Sequence, residues 1–133
     1  MDKRPTSSDK TQIGSPARTS ERIPDRYQAS LVIVGGHSSG MEYTLTTAYS
    51  VIGRDKEADI MLKDPLVSRQ HAVVIYHDGS YVVKDLDSTN GTHMNGAVVK
   101  QVSLRHGDTF RVGDTSLQFV LQDAPRPRTY EIK

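Results

Sequence analysis

Residues 71–99 read HAVVIYHDGSYVVKDLDSTNGTHMNGAVV, and this stretch decides the fold. "HAVVIY" (71–76) and "YVVKDL" (81–86) are apolar, β-branched runs separated by His77-Asp78-Gly79-Ser80. An Asp-Gly pair between two such runs supplies the positive φ angles of a tight hairpin turn. Asn95-Gly96, between Met94 and Ala97-Val98-Val99, marks a second hairpin. The Asn-Gly pair just before it, Asn90-Gly91, shapes a loop instead. Asn90 tolerates left-handed backbone and Gly91 adopts it freely. Ser88-Thr89-Asn90-Gly91-Thr92 is therefore an ordered, hydroxyl-rich loop ahead of a strand.

The β pattern continues outward in both directions. "LVIV" (31–34) is a short β-branched run, and "MEYTLTT" (41–47) sets Met41, Tyr43 and Leu45 on one face. "SLQFVL" (116–121) sets Leu117, Phe119 and Leu121 on one face, and Gly113-Asp114 separates it from "DTFRV" (108–112). Turn residues recur at the spacing of short strands, which predicts a sandwich or barrel. No long segment has helical periodicity. With two Phe and no Trp, the core is expected to be Val, Ile and Leu.

The 133-residue chain suffices for one domain with chain to spare. It has no cysteine, which excludes disulfides and thiolate metal sites. Its N-terminus, MDKRPTSSDK, has no apolar run, and no stretch reaches membrane-spanning length. A soluble cytoplasmic protein is the expectation. Charge is uneven: residues 1–26 carry net +2, residues 27–123 net −3 and residues 124–133 net +2. A mildly acidic middle argues against a nucleic-acid partner, which needs a basic face. It leaves room for a small anion pocket. Residues 1–27, rich in Ser, Thr, Pro and charge, are expected to be a disordered tail. Residues 28–123 form the domain, and residues 124–133 a shorter tail.

Three loops hold residue types that strands alone do not explain. In VIGRDKEADI (51–60), Gly53 ends a strand and Arg54 follows. Arg54 is either a surface residue after a turn or a guanidinium fork for an anion. In DPLVSRQHAVVIY (64–76), Asp64-Pro65 marks a turn, and Ser68 and His71 precede a strand. Ser68 either closes the turn or offers its hydroxyl. His71 is read as a brace that hydrogen-bonds backbone. The third loop is 88–92, where Asn90-Gly91-Thr92 also matches a glycosylation acceptor, set aside for want of a secretory signal.

Together, Gly53-Arg54, Ser68-Arg69-Gln70-His71, Leu86 with Ser88-Thr89-Asn90-Gly91-Thr92, and Asn95-Gly96 resemble the forkhead-associated (FHA) domain family. The resemblance covers about residues 30–121. It implies an all-β fold, a two-sheet antiparallel β-sandwich of about eleven strands. It also implies binding of phosphothreonine in partner proteins or peptides, downstream of a Ser/Thr kinase, without catalysis or cofactor. By position, Arg54 would contact the phosphate. Ser68 would offer its hydroxyl and backbone N–H, and Thr89 would contact the phosphate or the neighbouring peptide. Asn90 would bond the peptide main chain, and Arg69 would add charge at the rim. Gly53, His71, Gly91, Thr92, Asn95 and Gly96 would support the loops. Leu66, in a loop that helps choose the residue three after the phosphothreonine, favours no acidic preference there. Thr11, in the tail segment DKTQIG (9–14), is a candidate phosphosite that would bind this pocket or that of a second copy.

Two other classes compete. Five His residues invite a metal enzyme, but no pair has metal-site spacing and no carboxylate cluster accompanies them. Ser68 and His71 invite a nucleophile and base, but no third member or oxyanion site is evident. The remaining alternative is a phosphorylation-independent adaptor or dimerisation module that uses the sandwich surface.

Overall fold

The computed structural model describes residues 23–24, 27–36 and 38–123. Residues 1–22 and 124–133, and with them Thr11, lie outside the described residues. Eleven strands follow in order: β1 (Tyr27–Gly35), β2 (Glu42–Leu45), β3 (Tyr49–Gly53), β4 (Ile60–Met61), β5 (Ala72–His77), β6 (Ser80–Asp85), β7 (Thr92–Met94), β8 (Ala97–Val99), β9 (Gln101–Leu104), β10 (Thr109–Val112) and β11 (Thr115–Asp123). They form a six-stranded sheet in the order β2-β1-β11-β10-β7-β8 and a five-stranded sheet in the order β4-β3-β5-β6-β9. The expected all-β sandwich is what the chain forms. One pairing departs from the antiparallel expectation: β3 and β4 run parallel, with Ile52 opposite Ile60. β4 is only two residues long, and the loop 54–59 carries it back alongside β3 in the same direction.

Turn chemistry sets the register. Asp78 (φ 56°) with Gly79 (φ 82°) turns β5 into β6, and Asn95 (φ 53°) with Gly96 (φ 80°) turns β7 into β8. Two consecutive positive φ angles give the turn twist that matches paired strands. Each register then sends alternate side chains inward. Leu31, Ile33, Phe110, Leu117 and Phe119 from the larger sheet are each no more than 1% exposed. They meet Ile52, Val74 and Val83 from the smaller one. Tyr81 lies between the rings of Tyr76 and Phe119, at centroid distances of 4.9 and 5.0 Å. Of the expected face Met41-Tyr43-Leu45, Leu45 is buried and Tyr43 packs on the core. Met41 lies just before β2 and is half-exposed.

The registers bring one set of strand ends together. Ile52 lies opposite Ala72, and Ala72 opposite Asp85, in the smaller sheet. Val112 lies opposite both Thr92 and Thr115 in the larger sheet. The loops 54–59, 62–71 and 86–91 and the turn at 113–114 all leave from this end.

Two close approaches hold the loops down. Arg69 O lies 1.9 Å from where a Cβ on Gly53 would sit, so only glycine lets loop 62–71 cross the end of β3. Buried Asp64 accepts from Leu66 N–H (2.9 Å), Asp114 N–H (2.7 Å) and the Thr115 hydroxyl (2.8 Å). Its carboxylate thereby ties loop 62–71 to the β10–β11 turn of the other sheet.

Two substitutions test these anchors. Asp64→Asn aims a donor at groups that already donate. Hydrogen bonds to charge are worth about 1.5–3 kcal/mol each, so unfolding in urea should show a loss of about 2–4 kcal/mol. Gly53→Ala forces Arg69 away from β3. Overpacking of this kind costs about 1–3 kcal/mol, and the amide resonances of residues 67–70 should move with it.

Candidate functional site

The three loops have little regular ladder, so their polar groups must find partners among themselves. Backbone bonds begin the work. Arg54 N–H donates to Ser68 O (3.0 Å), Asp55 N–H to Arg69 O (3.2 Å) and His71 N–H to Ile52 O (2.9 Å). Leu86 N–H donates to His71 O at 2.8 Å, which attaches the third loop to the second.

His71 completes the join. It is fully buried, although it stands at the edge of two polar loops. Its Nδ1 accepts the Ser68 N–H at 3.0 Å. Nε2 must then carry the proton, and it lies 2.9 Å from Gly91 O, to which it donates. Both nitrogens of a neutral imidazole are committed, one to each loop. A proton on Nδ1 would face the Ser68 N–H and break the join. The Ser68 N–H was expected to be a phosphate donor. It is engaged by His71, because the ring nitrogen is the acceptor that lets this imidazole stay buried.

Around this brace the outward-facing donors are aimed. Arg54 donates from Nε to Val67 O at 2.9 Å, which fixes the plane of its guanidinium. Its two terminal nitrogens are left without a partner among the described residues, on an exposed side chain. Ser68 Oγ accepts the Thr89 N–H at 3.0 Å, so its hydroxyl proton remains to be donated. Asn90 Nδ2 donates to Leu66 O at 2.9 Å, leaving one amide N–H and the amide oxygen facing solvent. Thr89 and Asn90 are exposed at the loop tip.

Arg54, Ser68, Thr89 and Asn90 thus come from three loops to one surface, linked by direct hydrogen bonds. Arg69 is exposed beside them, with its carbonyl held by Asp55. Gly53 and His71 lie beneath. Gly91 (φ 86°) supplies the left-handed residue of the third loop, while Asn90 does not adopt that conformation. Thr92 is buried under the loop. Asn95 and Gly96 stand apart from this group, at the opposite end of β7.

The sequence reading missed Asp85, on which the third loop is built. Its Oδ1 accepts from Ser88 Oγ (2.6 Å) and Thr92 Oγ1 (2.7 Å), and its Oδ2 accepts from Ser88 N–H (3.0 Å). Ser88 Oγ in turn accepts the Gly91 N–H at 2.8 Å. Oδ1 lies 4.0 Å from His71 Nε2. Burial pushes this carboxyl up, but the Ser88 and Thr92 hydroxyls, the Ser88 N–H and the nearby His71 together hold it below the usual carboxylate range. A signal was present: an Asp three residues before a Ser in a turn-rich stretch is a side-chain-to-backbone turn motif. Asp87, at φ 56°, is a non-glycine in left-handed geometry that the sequence did not mark.

Two surface hollows lie away from the loop tips. One of about 360 Å³ is lined by residues 42–47 with Ser50, Asp59 and Ile60. Another of about 390 Å³ lies at the base of the third loop, lined by Lys84, Asp85, Leu86, Asp87, Lys100 and Gln101. The loop tips make a shallow, open surface with convergent donors. Among the described residues, no group of three or more His, Asp or Glu side chains could hold a metal ion.

Comparison with known proteins agrees with this geometry. The profile of the FHA domain matches residues 50–113. The oxoglutarate dehydrogenase inhibitor of Corynebacterium diphtheriae is 34% identical over 110 residues, spanning 83% of this chain and 76% of that one. A domain solved in a structural and functional analysis of phosphothreonine-dependent FHA domain interactions superposes with a TM-score of 0.64. It is 31% identical and is matched over 75% of this chain and 98% of its own. Mycobacterium tuberculosis EmbR, solved in complex with a low affinity phosphopeptide, superposes with a TM-score of 0.67 at 34% identity. That match spans 75% of this chain and 26% of EmbR. With the sandwich, the loop framework and these relatives in agreement, the chain belongs to the FHA domain family.

Proposed function

We propose that this protein is a non-catalytic signalling module that binds phosphothreonine in partner proteins and so reads the output of a Ser/Thr kinase. The observation that carries the reading is the convergence of Arg54's terminal nitrogens, unpartnered among the described residues, the Ser68 hydroxyl proton and the Asn90 amide on one open surface. Related FHA domains solved with a phosphopeptide or in phosphothreonine-dependent interactions support it. A phosphothreonine brings about −1.5 to −2 charges and three acceptor oxygens. Arg54 and Ser68 offer only donors to it. Thr89 stands at the rim for a further oxygen, and Asn90 offers both a donor and an acceptor to the peptide main chain.

The magnitudes suit a reversible reader. Charge-assisted hydrogen bonds are worth about 1.5–3 kcal/mol each net. Two or three of them supply most of the roughly 8 kcal/mol of a micromolar complex. An unphosphorylated threonine forfeits that sum, so the module discriminates by phosphate. An open surface of loop tips also suits an extended peptide better than an enclosed small substrate.

A finer part of the proposal concerns Thr11. Phosphorylated there, the tail would occupy the loop site of its own chain or of a second copy. Thr11 lies twelve positions before Ile23, whose side chain packs against the core. Extended, such a segment reaches about 40 Å. Along β1 the distance from Tyr27 to the site end is about 26 Å at 3.3 Å per residue. The tail is long enough.

Three outcomes are expected. A phosphothreonine peptide-library screen should give strong capture that Arg54→Ala abolishes and that unphosphorylated peptides lack. Capture that survives Arg54→Ala would point to contacts through the sandwich faces instead. Binding should weaken as pH falls from 7.5 to 5, because the second phosphate pKa lies near 6 and the dianion is the better acceptor. Constant affinity over that range would count against a dianion-selective site. Phosphorylation of Thr11 should shift the amide resonances of residues 53–55, 67–70 and 88–92, and stationary resonances would remove the self-binding part.

A further inference from the structure

The structure assigns to Asp85 a positioning role: its carboxylate sets the conformation in which Thr89 and Asn90 meet the ligand, without touching the ligand itself. This assignment rests on the phosphothreonine-binding reading. Asp85 stands at the end of β6, just before the loop it organises. It is an acceptor-only group, and the loop around it is built from donors. Ser88 O–H and Thr92 O–H both point their protons at Oδ1, and Ser88 N–H points at Oδ2. That polarity leaves the Ser88 oxygen lone pairs for the Gly91 N–H. Residues 88 and 91 are thereby clamped on both sides of Thr89-Asn90. The Gly91 carbonyl is clamped in turn by His71. The chain of bonds runs Asp85, Ser88, Gly91, His71, Ser68 and back to Thr89 through Ser68 Oγ.

The role makes a prediction whose sign is unusual. A carboxylate beneath an anion site repels the anion through simple electrostatics, so removing its charge should tighten binding. If Asp85 acts by position, removing the charge loosens binding instead. Asp85→Asn keeps the shape but replaces one acceptor oxygen by a donor nitrogen. Facing the Ser88 N–H, that nitrogen sets donor against donor; facing the two hydroxyls, it makes both turn their protons away and accept, which undoes the polarity that holds Ser88. The neighbouring Asp87 is the control. It is exposed and in left-handed geometry that Asn also tolerates, so Asp87→Asn removes a charge while keeping the backbone.

Full-length wild type, Asp85→Asn, Asp87→Asn, Ser88→Ala and the Asp85→Asn/Ser88→Ala double variant would be compared for capture of a pooled phosphothreonine peptide library. Asp85→Asn should bind at least tenfold more weakly, while Asp87→Asn binds no more weakly than wild type. The double variant should be no weaker than Asp85→Asn, because Asp85 acts through Ser88. Binding by Asp85→Asn equal to or tighter than wild type would overturn the assignment. So would losses in Asp85→Asn and Ser88→Ala that add in full. If Asp85→Asn does not fold, the wild type decides. Its Ser88 and Gly91 amide resonances should follow a single carboxyl titration below the usual range, and amides that stay fixed would refute the role. A wild type that captures the phosphorylated pool no better than an unphosphorylated pool would overturn the functional reading, and this assignment with it.

Discussion

A buried imidazole with both nitrogens engaged is the constraint on which the site depends. An unpartnered nitrogen on His71, at 0% exposure, would cost about 1–3 kcal/mol. His71 pairs one nitrogen with the Ser68 N–H and the other with the Gly91 carbonyl. Each bond orders a different loop. The loops in turn carry the groups that face outward, so the arrangement at the surface is inherited from the ring below. Gly53 makes the layer possible by letting the Arg69 carbonyl lie where a side chain would be.

Two carboxylates extend the constraint to either side. Asp64 joins loop 62–71 to the β10–β11 turn, and Asp85 orders loop 86–91 from within. Both serve as acceptors for backbone and hydroxyl donors. The proposed anion site thus lies over internal negative charge that is already satisfied. A domain carrying net −3 over residues 27–123 thus keeps Arg54 and Arg69 exposed at one end. What decides the local field is the placement of Arg54 and the donors around it.

Much of this was legible in the sequence. The Asp78-Gly79 and Asn95-Gly96 hairpins were readable because tight turns between paired strands require positive φ, which few residue types supply. The inward face of β11 followed from the alternation of Leu117, Phe119 and Leu121, while LVIV in β1 was readable only as a β-branched run. The loop framework was readable because Gly53-Arg54, Ser68-x-x-His71 and the Asn90 loop occur in one order on a β background. Other features depend on distant partners and left no local mark. Asp64 reads as the start of a turn, yet it bonds Thr115, fifty-one residues away. The Ser68 N–H reads as a free donor until the fold brings His71 Nδ1 to it. The parallel pairing of β4 has no periodic signal, since two residues are too few to show one.

In the proposed complex Arg54 and Ser68 meet one phosphate, and Asn90 takes the peptide main chain beside it. A crystal structure of the protein with a phosphothreonine peptide selected from a library tests this most directly. Phosphate oxygens should lie within about 3 Å of the Arg54 terminal nitrogens and Ser68 Oγ, with Asn90 on the peptide main chain. A phosphate seated elsewhere, such as in the hollow lined by residues 42–47, with Arg54 and Ser68 untouched, would contradict it.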